Sequence, residues 1–183
     1  MRITGGIYRG RTIKCPPGTI RPAMDRMRES MYSILGSIEG YAFLDLFSGS
    51  GLVGIEAASR GCSPVHLVEM DHKKRKIINQ NISIVTTEIK LYMMSVQKFL
   101  YFAPITYDIV YSDPPFPMKG KGALSRSIAD ANLVKNGGLY IIHYPKENTM
   151  AEQIGTFNCI DERKYGRSML RFYRNEIHFT DKE

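Results

Sequence analysis

The stretch of this chain best equipped for chemistry is Asp113-Pro114-Pro115-Phe116, which directly follows the apolar run Tyr107-Asp108-Ile109-Val110-Tyr111-Ser112. Two successive prolines fix φ and remove two backbone donors. What is left is a pair of acceptors, the Asp113 carboxylate and the Pro114 carbonyl. The exocyclic amine of a nucleobase carries two N–H donors that such a pair can hold, and Phe116 offers a ring on which the base can stack. The lone pair of that amine is delocalised into the base, which makes it a weak nucleophile. Acceptors on both N–H bonds favour a more pyramidal nitrogen and stabilise the positive charge that grows on it during attack. Aligning the amine with an already activated carbon supplies the remainder of the acceleration, so neither a metal nor a covalent intermediate is needed.

A second constellation is Asp45-Leu46-Phe47-Ser48-Gly49-Ser50-Gly51. Glycines there let the backbone turn sharply and approach a ligand, and the helix that starts at once supplies free N–H groups. Gly54 sits one place away from the third glycine of a dinucleotide fingerprint, which argues against NAD. A carboxylate at Asp45 would repel a pyrophosphate and attract a cation such as an aminoacyl sulfonium. Further on, Leu67-Val68-Glu69-Met70-Asp71 ends a second apolar run. Glu69 can accept from ribose hydroxyls, and Asp71 can cap the following helix.

These residues need elements to hold them. Candidate strands cover 41–47, 64–70, 89–94, 107–112 and 138–144. Helices fit between them at about 51–60, 72–84, 95–102 and 121–135. The strands are apolar runs with little alternation, as suits a parallel sheet covered on both faces. Two more candidates, 157–164 and 168–177, are joined at Tyr165-Gly166-Arg167 and predict an antiparallel hairpin. The expected architecture is α/β, a doubly wound, mostly parallel Rossmann-like sheet with an antiparallel C-terminal edge. Ahead of it, residues 2–14 read as a short basic hairpin, 15–23 as a proline-rich connector, and 25–36 as a helix. This divides the chain into a hairpin-and-connector segment, 1–24, and a main domain, 25–183.

Charge is concentrated at the front. The 183 residues carry a net +7. Residues 1–28 account for +6 of it, from Arg2, Arg9, Arg11, Lys14, Arg21, Arg26 and Arg28 against Asp25. A basic end on a near-neutral body predicts a polyanionic partner. Arg9, Arg11, Arg21, Arg26 and Arg28 are the candidate nucleic-acid contacts, with Tyr8 as a stacking face. Lys119-Gly120-Lys121-Gly122 reads as a loop that closes over a flipped base or grips a phosphate, and His72-Lys73-Lys74-Arg75-Lys76 as a solvated helix face. The ten methionines read as core filler. Hydrophobic residues make up 43% of the chain, enough for a core. Its apolar runs are strand-sized, Cys15, Cys62 and Cys159 lie far apart, and the first residues lack an apolar leader. The expectation is a cytoplasmic protein with no membrane span and no metal.

The motifs together resemble a known family. The Asp45–Gly51 run looks like the first motif of Rossmann-like methyltransferases, and Asp113-Pro114-Pro115-Phe116 like their amino-methylating fourth motif. Gly5-Gly6, Arg9-Gly10-Arg11, Arg21-Pro22 and Asp25-Arg26-Met27-Arg28-Glu29-Ser30 are similar to the start of the bacterial 16S ribosomal RNA (guanine-966 N2) methyltransferases, and Tyr165-Gly166-Arg167-Ser168 to their ending. The resemblance runs nearly end to end. It implies a seven-stranded sheet, S-adenosylmethionine as methyl donor, and a guanine N2 acceptor in ribosomal RNA, naked or within an assembling small subunit. It also implies a monomer. Asp45, Phe47, Ser48, Gly49, Ser50 and Gly51 would hold the methionine part, Glu69 the ribose, and Met70 the adenine. The segment from Arg21 to Glu29 would line the cofactor mouth or the RNA path. Where the family commonly has an adenine-binding Asp, this chain has Ser95, so adenine binding would lean on the backbone near Val96. Two other readings remain open. A DNA adenine-N6 methyltransferase could use the same acceptor run, although those enzymes more often carry Asn at the place of Asp113 and a larger recognition domain. A non-catalytic RNA-binding or assembly factor is the other, with Ser95 as its only support.

Overall fold

The computed structural model describes residues 1–15 and 22–177. Helix α1 (Pro22–Leu35) precedes β1 (Phe43–Leu46), α2 (Leu52–Ser59) and β2 (Val65–Glu69). A 3₁₀ turn at His72–Lys74 leads into α3 (Arg75–Ile82), followed by β3 (Ile89–Met93), α4 (Val96–Leu100), β4 (Tyr107–Ser112) and α5 (Lys121–Asp130). Strands β5 (Val134–Pro145), β6 (Gln153–Ile154), β7 (Phe157–Tyr165) and β8 (Ser168–Asn175) complete the order.

All eight strands form one sheet, ordered β3-β2-β1-β4-β5-β8-β7-β6. The first five are mutually parallel, and β8 pairs antiparallel with both β5 and β7. The expected doubly wound sheet with an antiparallel edge is therefore present. The eighth strand, β6, was not expected, because two residues carry no periodic signal. Every residue of β1 and β2 is buried, as continuous apolar runs demand when helices cover both faces. The chain winds outward from β1 to β3 and then returns to β4 beside β1. That reversal opens a crevice at the carboxyl ends of β1 and β4, where ligands of open α/β sheets bind.

The predicted helix over 121–135 stops at Asp130, and β5 begins at Val134, four residues early. Asn132 takes a left-handed conformation (φ 52°), which ends the helix. The register against β4 then jumps between Val134 and Leu139 to absorb Gly137 and Gly138.

Residues 1–13 fold back as the expected hairpin, with an Arg2–Thr12 bridge. Ile3, Tyr8 and Ile13 pack on Leu52 and Ile55 of α2. Gly6 has φ 76° and lies so close to α2 that a Cβ would come within 1.8 Å of the Ser59 carbonyl oxygen, so no side chain fits there. Ser59 binds this turn from three directions, accepting from Tyr8 N, donating to the Gly5 carbonyl, and accepting from Ile7 N at its own carbonyl. Among the described residues, no helix is long and apolar enough to cross a membrane, and no group of three or more His, Cys, Asp or Glu could hold a metal.

Candidate active site

The pairing of Asp45 with Tyr111 and of Leu46 with Ser112 brings the ends of β1 and β4 side by side. The turn after β1 is strained. Phe47, not a glycine, sits at φ 62°, followed by Gly49 at 59° and Gly51 at 78°. Non-glycine residues persist there only where surrounding structure holds them, and such positions cluster at functional sites. Here the support is visible. Ser48 N donates to the Val68 carbonyl (3.0 Å), and Gly51 N donates to the Ser48 carbonyl (2.7 Å). Asn81, fully buried, donates to the carbonyls of Ser50 and Lys14, tying the turn to the N-terminal segment.

Of the two acids beneath this turn, Asp45 departs from the sequence expectation. Asp45 is 1% exposed and lies behind the loop, where its Oδ2 accepts from Gly54 N at 3.0 Å. Burial pushes its carboxyl up to about 8, and the nearby Asp113 and Glu69 charges add to the rise. Asp45 therefore shapes the turn and contributes a field, without forming the cavity wall. Gly54 is explained too, since a Cβ there would press on Leu67 and Asp45. Glu69 accepts from Gly49 N and Asp71 N, both at 2.9 Å, and faces Lys74 Nζ at 3.2 Å. A carboxylate has roughly four lone-pair sites, so three donors leave room for one more.

A cavity of about 240 Å³ lies over the turn. Phe47, Ser48, Gly49 and Ser50 form one side, Tyr111 and Asp113 the floor, and Met24, Met27, Arg28 and Met31 of α1 the roof. Three methionines that read as core filler thus line this space. Met70 is 62% exposed beyond β2. The Glu69–Met93 pairing sets it near Ser95, beyond the end of β3. Ser95 caps α4 by accepting from Lys98 N at 3.2 Å, and Val96 is buried beside it.

A second, shallower pocket adjoins the first. It is lined by Met24, Asp113, Pro114, Pro115, Phe116, His143 and Ser168. Asp113 and Met24 belong to both, so the two spaces meet at the Asp113 carboxylate. His143 on β5 holds that carboxylate, with Nδ1 2.7 Å from Oδ1, and the Phe116 ring packs edge-on against the imidazole with centroids 5.1 Å apart. Sequence reading missed His143 because an isolated histidine in an apolar strand carries no local signal. Only the β4–β5 pairing brings it to Asp113. Ser168, at the turn quoted in the family resemblance, reaches the same pocket from β8.

Several basic residues are corrected by their surroundings. Lys121 is buried, and its ammonium donates to the carbonyls of Phe116 (3.0 Å) and Met118 (2.7 Å). It clamps the Asp113–Phe116 turn from below and does not face a phosphate. Arg28 is 3% exposed and bonds Glu56, Asp25 and the Arg2 carbonyl. It is a structural cation rather than an RNA contact. Tyr8 is buried, its hydroxyl bound by Thr86 and Thr87, so it offers no stacking face. Arg9 and Arg26 are exposed. Arg11 is exposed as well, with its guanidinium over the Tyr8 ring and donating to the Ile84 carbonyl. Arg21 lies outside the described residues.

With this geometry in place, likeness to known proteins decides the family. The chain matches the family described as conserved hypothetical protein 95 over residues 1–174. It belongs to that family. Ribosomal RNA small subunit methyltransferase D of Escherichia coli K12 is 30% identical over 186 residues, covering 96% of this chain and 90% of that protein. The protein of the same name from Haemophilus influenzae is 25% identical over 182 residues, covering 96% and 94%. Among solved structures, a hypothetical protein of Thermus thermophilus overlays with a TM-score of 0.82 at 29% identity, covering 97% and 99% of the two chains. A conserved hypothetical protein of Streptococcus pyogenes overlays with 0.76 at 31%, covering 81% and 95%. The family resemblance carried by the opening, the Asp45–Gly51 turn and the Asp113–Phe116 run is thereby borne out.

Proposed function

We propose that this family member transfers a methyl group from S-adenosylmethionine to the exocyclic N2 amine of a guanine in small-subunit ribosomal RNA. The observation that carries the reading is the meeting of two spaces at one carboxylate. Asp113 forms the end of the cavity over the Phe47–Gly51 turn and the wall of the pocket beside Phe116.

The cavity suits such a donor. Its walls combine backbone of a glycine turn with polarisable methionine side chains, above a buried acid whose ionisation a cation would favour. Phe47, Ser48, Gly49, Ser50 and Gly51 would take the methionine part. Glu69 would take a ribose hydroxyl on its remaining acceptor site, and Met70, Ser95 and Val96 the adenine. When bound, S-adenosylmethionine supplies an electron-poor methyl carbon. The Asp113 carboxylate and the Pro114 carbonyl accept the two N–H bonds of the target amine. His143 occupies Oδ1 of Asp113, which directs the other carboxylate oxygen to the amine. That oxygen would stabilise the positive charge as the N–C bond forms and the methyl–sulfur bond breaks, and would take the proton the nitrogen then releases. Phe116 stacks on the base, which must leave its helix to reach the pocket. Arg9 and Arg26 hold RNA phosphates. The relatives' names support the ribosomal RNA part of this reading.

The test is transfer from labelled S-adenosylmethionine to small-subunit RNA, naked and protein-bound, with nucleoside analysis of the product. N2-methylguanosine is the expected product. Asp113→Ala should abolish transfer and leave cofactor affinity within about threefold, whereas near-normal turnover by that variant would remove Asp113 from the reaction.

A further inference from the structure

We propose that His143 selects guanine among amino-bearing bases by accepting the base N1–H at Nε2. The inference rests on the amine-methylating reading above. His143 is 2% exposed, and its Nδ1 lies 2.7 Å from Asp113 Oδ1. In the neutral imidazole, with Nδ1 donating its ring hydrogen to Asp113 Oδ1, Nε2 is the acceptor nitrogen. Nε2 is buried and has no hydrogen-bond partner among the described residues. Buried acceptors without partners are costly and rare in folded proteins, so one on a residue that lines a pocket, packed beside the Phe116 ring, asks for a ligand.

The chemistry of the wall says which ligand. Asp113, Pro114 and His143 line the same pocket. They contribute three acceptors, the carboxylate, the Pro114 carbonyl and Nε2. Guanine alone among the common bases presents three N–H donors in a row, N1–H followed by the two hydrogens of its N2 amine. The adenine amine is flanked by N1 and N7, both acceptors, and would set a lone pair against Nε2. The cytosine amine is flanked by an acceptor on one side and a C–H on the other. Bases drawn into an enzyme pocket are read along this edge. The Phe116 ring covers the imidazole edge-on. A base stacking on Phe116 displaces that ring from His143 and supplies the partner that Nε2 lacks.

The experiment compares two target bases and two proteins. Small-subunit RNA is prepared with the methylated guanine retained or replaced by 2-aminopurine, which keeps the 2-amino group but has a bare N1. Wild type and His143→Ala are first shown to bind S-adenosylmethionine equally, and kcat/KM is then measured for all four combinations. Wild type should discriminate against 2-aminopurine by about tenfold to a hundredfold, the usual effect of leaving a buried hydrogen-bonding group unpaired. His143→Ala should lose a similar factor on guanine, and its ratio between the two bases should fall towards one. If the variant slows both substrates by the same factor and keeps the wild-type ratio, His143 only positions Asp113 and the proposal is overturned. Equal wild-type rates on the two bases overturn it with no variant at all. Absence of N2 methylation at any guanine by wild type would instead sink the underlying reading, a result distinct from N2 methylation without discrimination.

Discussion

Replacing Asp45 by Asn should make the protein more stable, by an amount that grows with pH. Asp45 is fully buried, and its carboxyl rises from the ordinary 3.8 to about 8. The sign follows from which state holds the proton. Between about pH 4 and pH 8 the unfolded chain ionises this group while the folded protein resists doing so. The destabilisation from Asp45 is therefore absent below about pH 4 and builds progressively as pH rises to about 8. At about 1.4 kcal/mol per tenfold change in proton affinity, the full loss is on the order of 5 kcal/mol. That is a large share of the roughly 5–15 kcal/mol typical of a domain. Asparagine keeps an oxygen to accept from Gly54 N, currently 3.0 Å from Asp45, and cannot ionise. The difference between Asp45→Asn and wild type should thus widen by about 3 to 4 kcal/mol between pH 5 and pH 8. Urea denaturation of both proteins at several pH values measures it, and other titrating groups cancel in the difference. A gap that stays constant with pH would refute the reasoning, since it would mean that Asp45 ionises in the folded protein as easily as in water. The retention of so unfavourable a group beneath the turn is intelligible if it favours a cationic ligand above it.

Two further outcomes follow from the site. Lys121→Met keeps the buried stem and removes the ammonium that holds the Phe116 and Met118 carbonyls. It should lower single-turnover methyl transfer at least about tenfold with cofactor affinity unchanged, because the acceptor pair loses its fixed geometry; titration calorimetry and rapid quench separate the two. Arg9→Ala and Arg26→Ala should weaken RNA binding and each flatten its salt dependence by about one phosphate contact. Arg28→Ala should leave that slope unchanged and cost about 1.5–3 kcal/mol of stability by removing one of the two cations on the buried Glu56, which Arg60 still holds.

The legible parts of this protein were those written in contiguous residues. A glycine turn after a buried strand, a proline pair after another and apolar runs at regular spacing are local, and each constrains the backbone by sterics or by the need to leave water. They were enough for the parallel order of elements and the antiparallel edge, and they located the two turns that meet at the crevice. What misled the reading was side-chain environment. Arg28, Lys121 and Tyr8 look like solvent-facing RNA contacts by type, yet each is buried and bonded to a group far away in the chain or on another face of a turn. Conversely, Met24 lines a cavity, and Met27 and Met31 both pack in the core and line that same cavity.

Sequence by itself determined that a strand would run up to Asp113 and that the next two residues would be rigid, since proline fixes its own φ wherever it stands. Tertiary structure decided what Asp113 touches. The β4–β5 register sets Ser112 against Ile142, and so His143 beside Asp113 across thirty residues of chain. Hydrogen bonds of that kind depend on strand pairing and burial, which are properties of the assembled sheet and of no single segment.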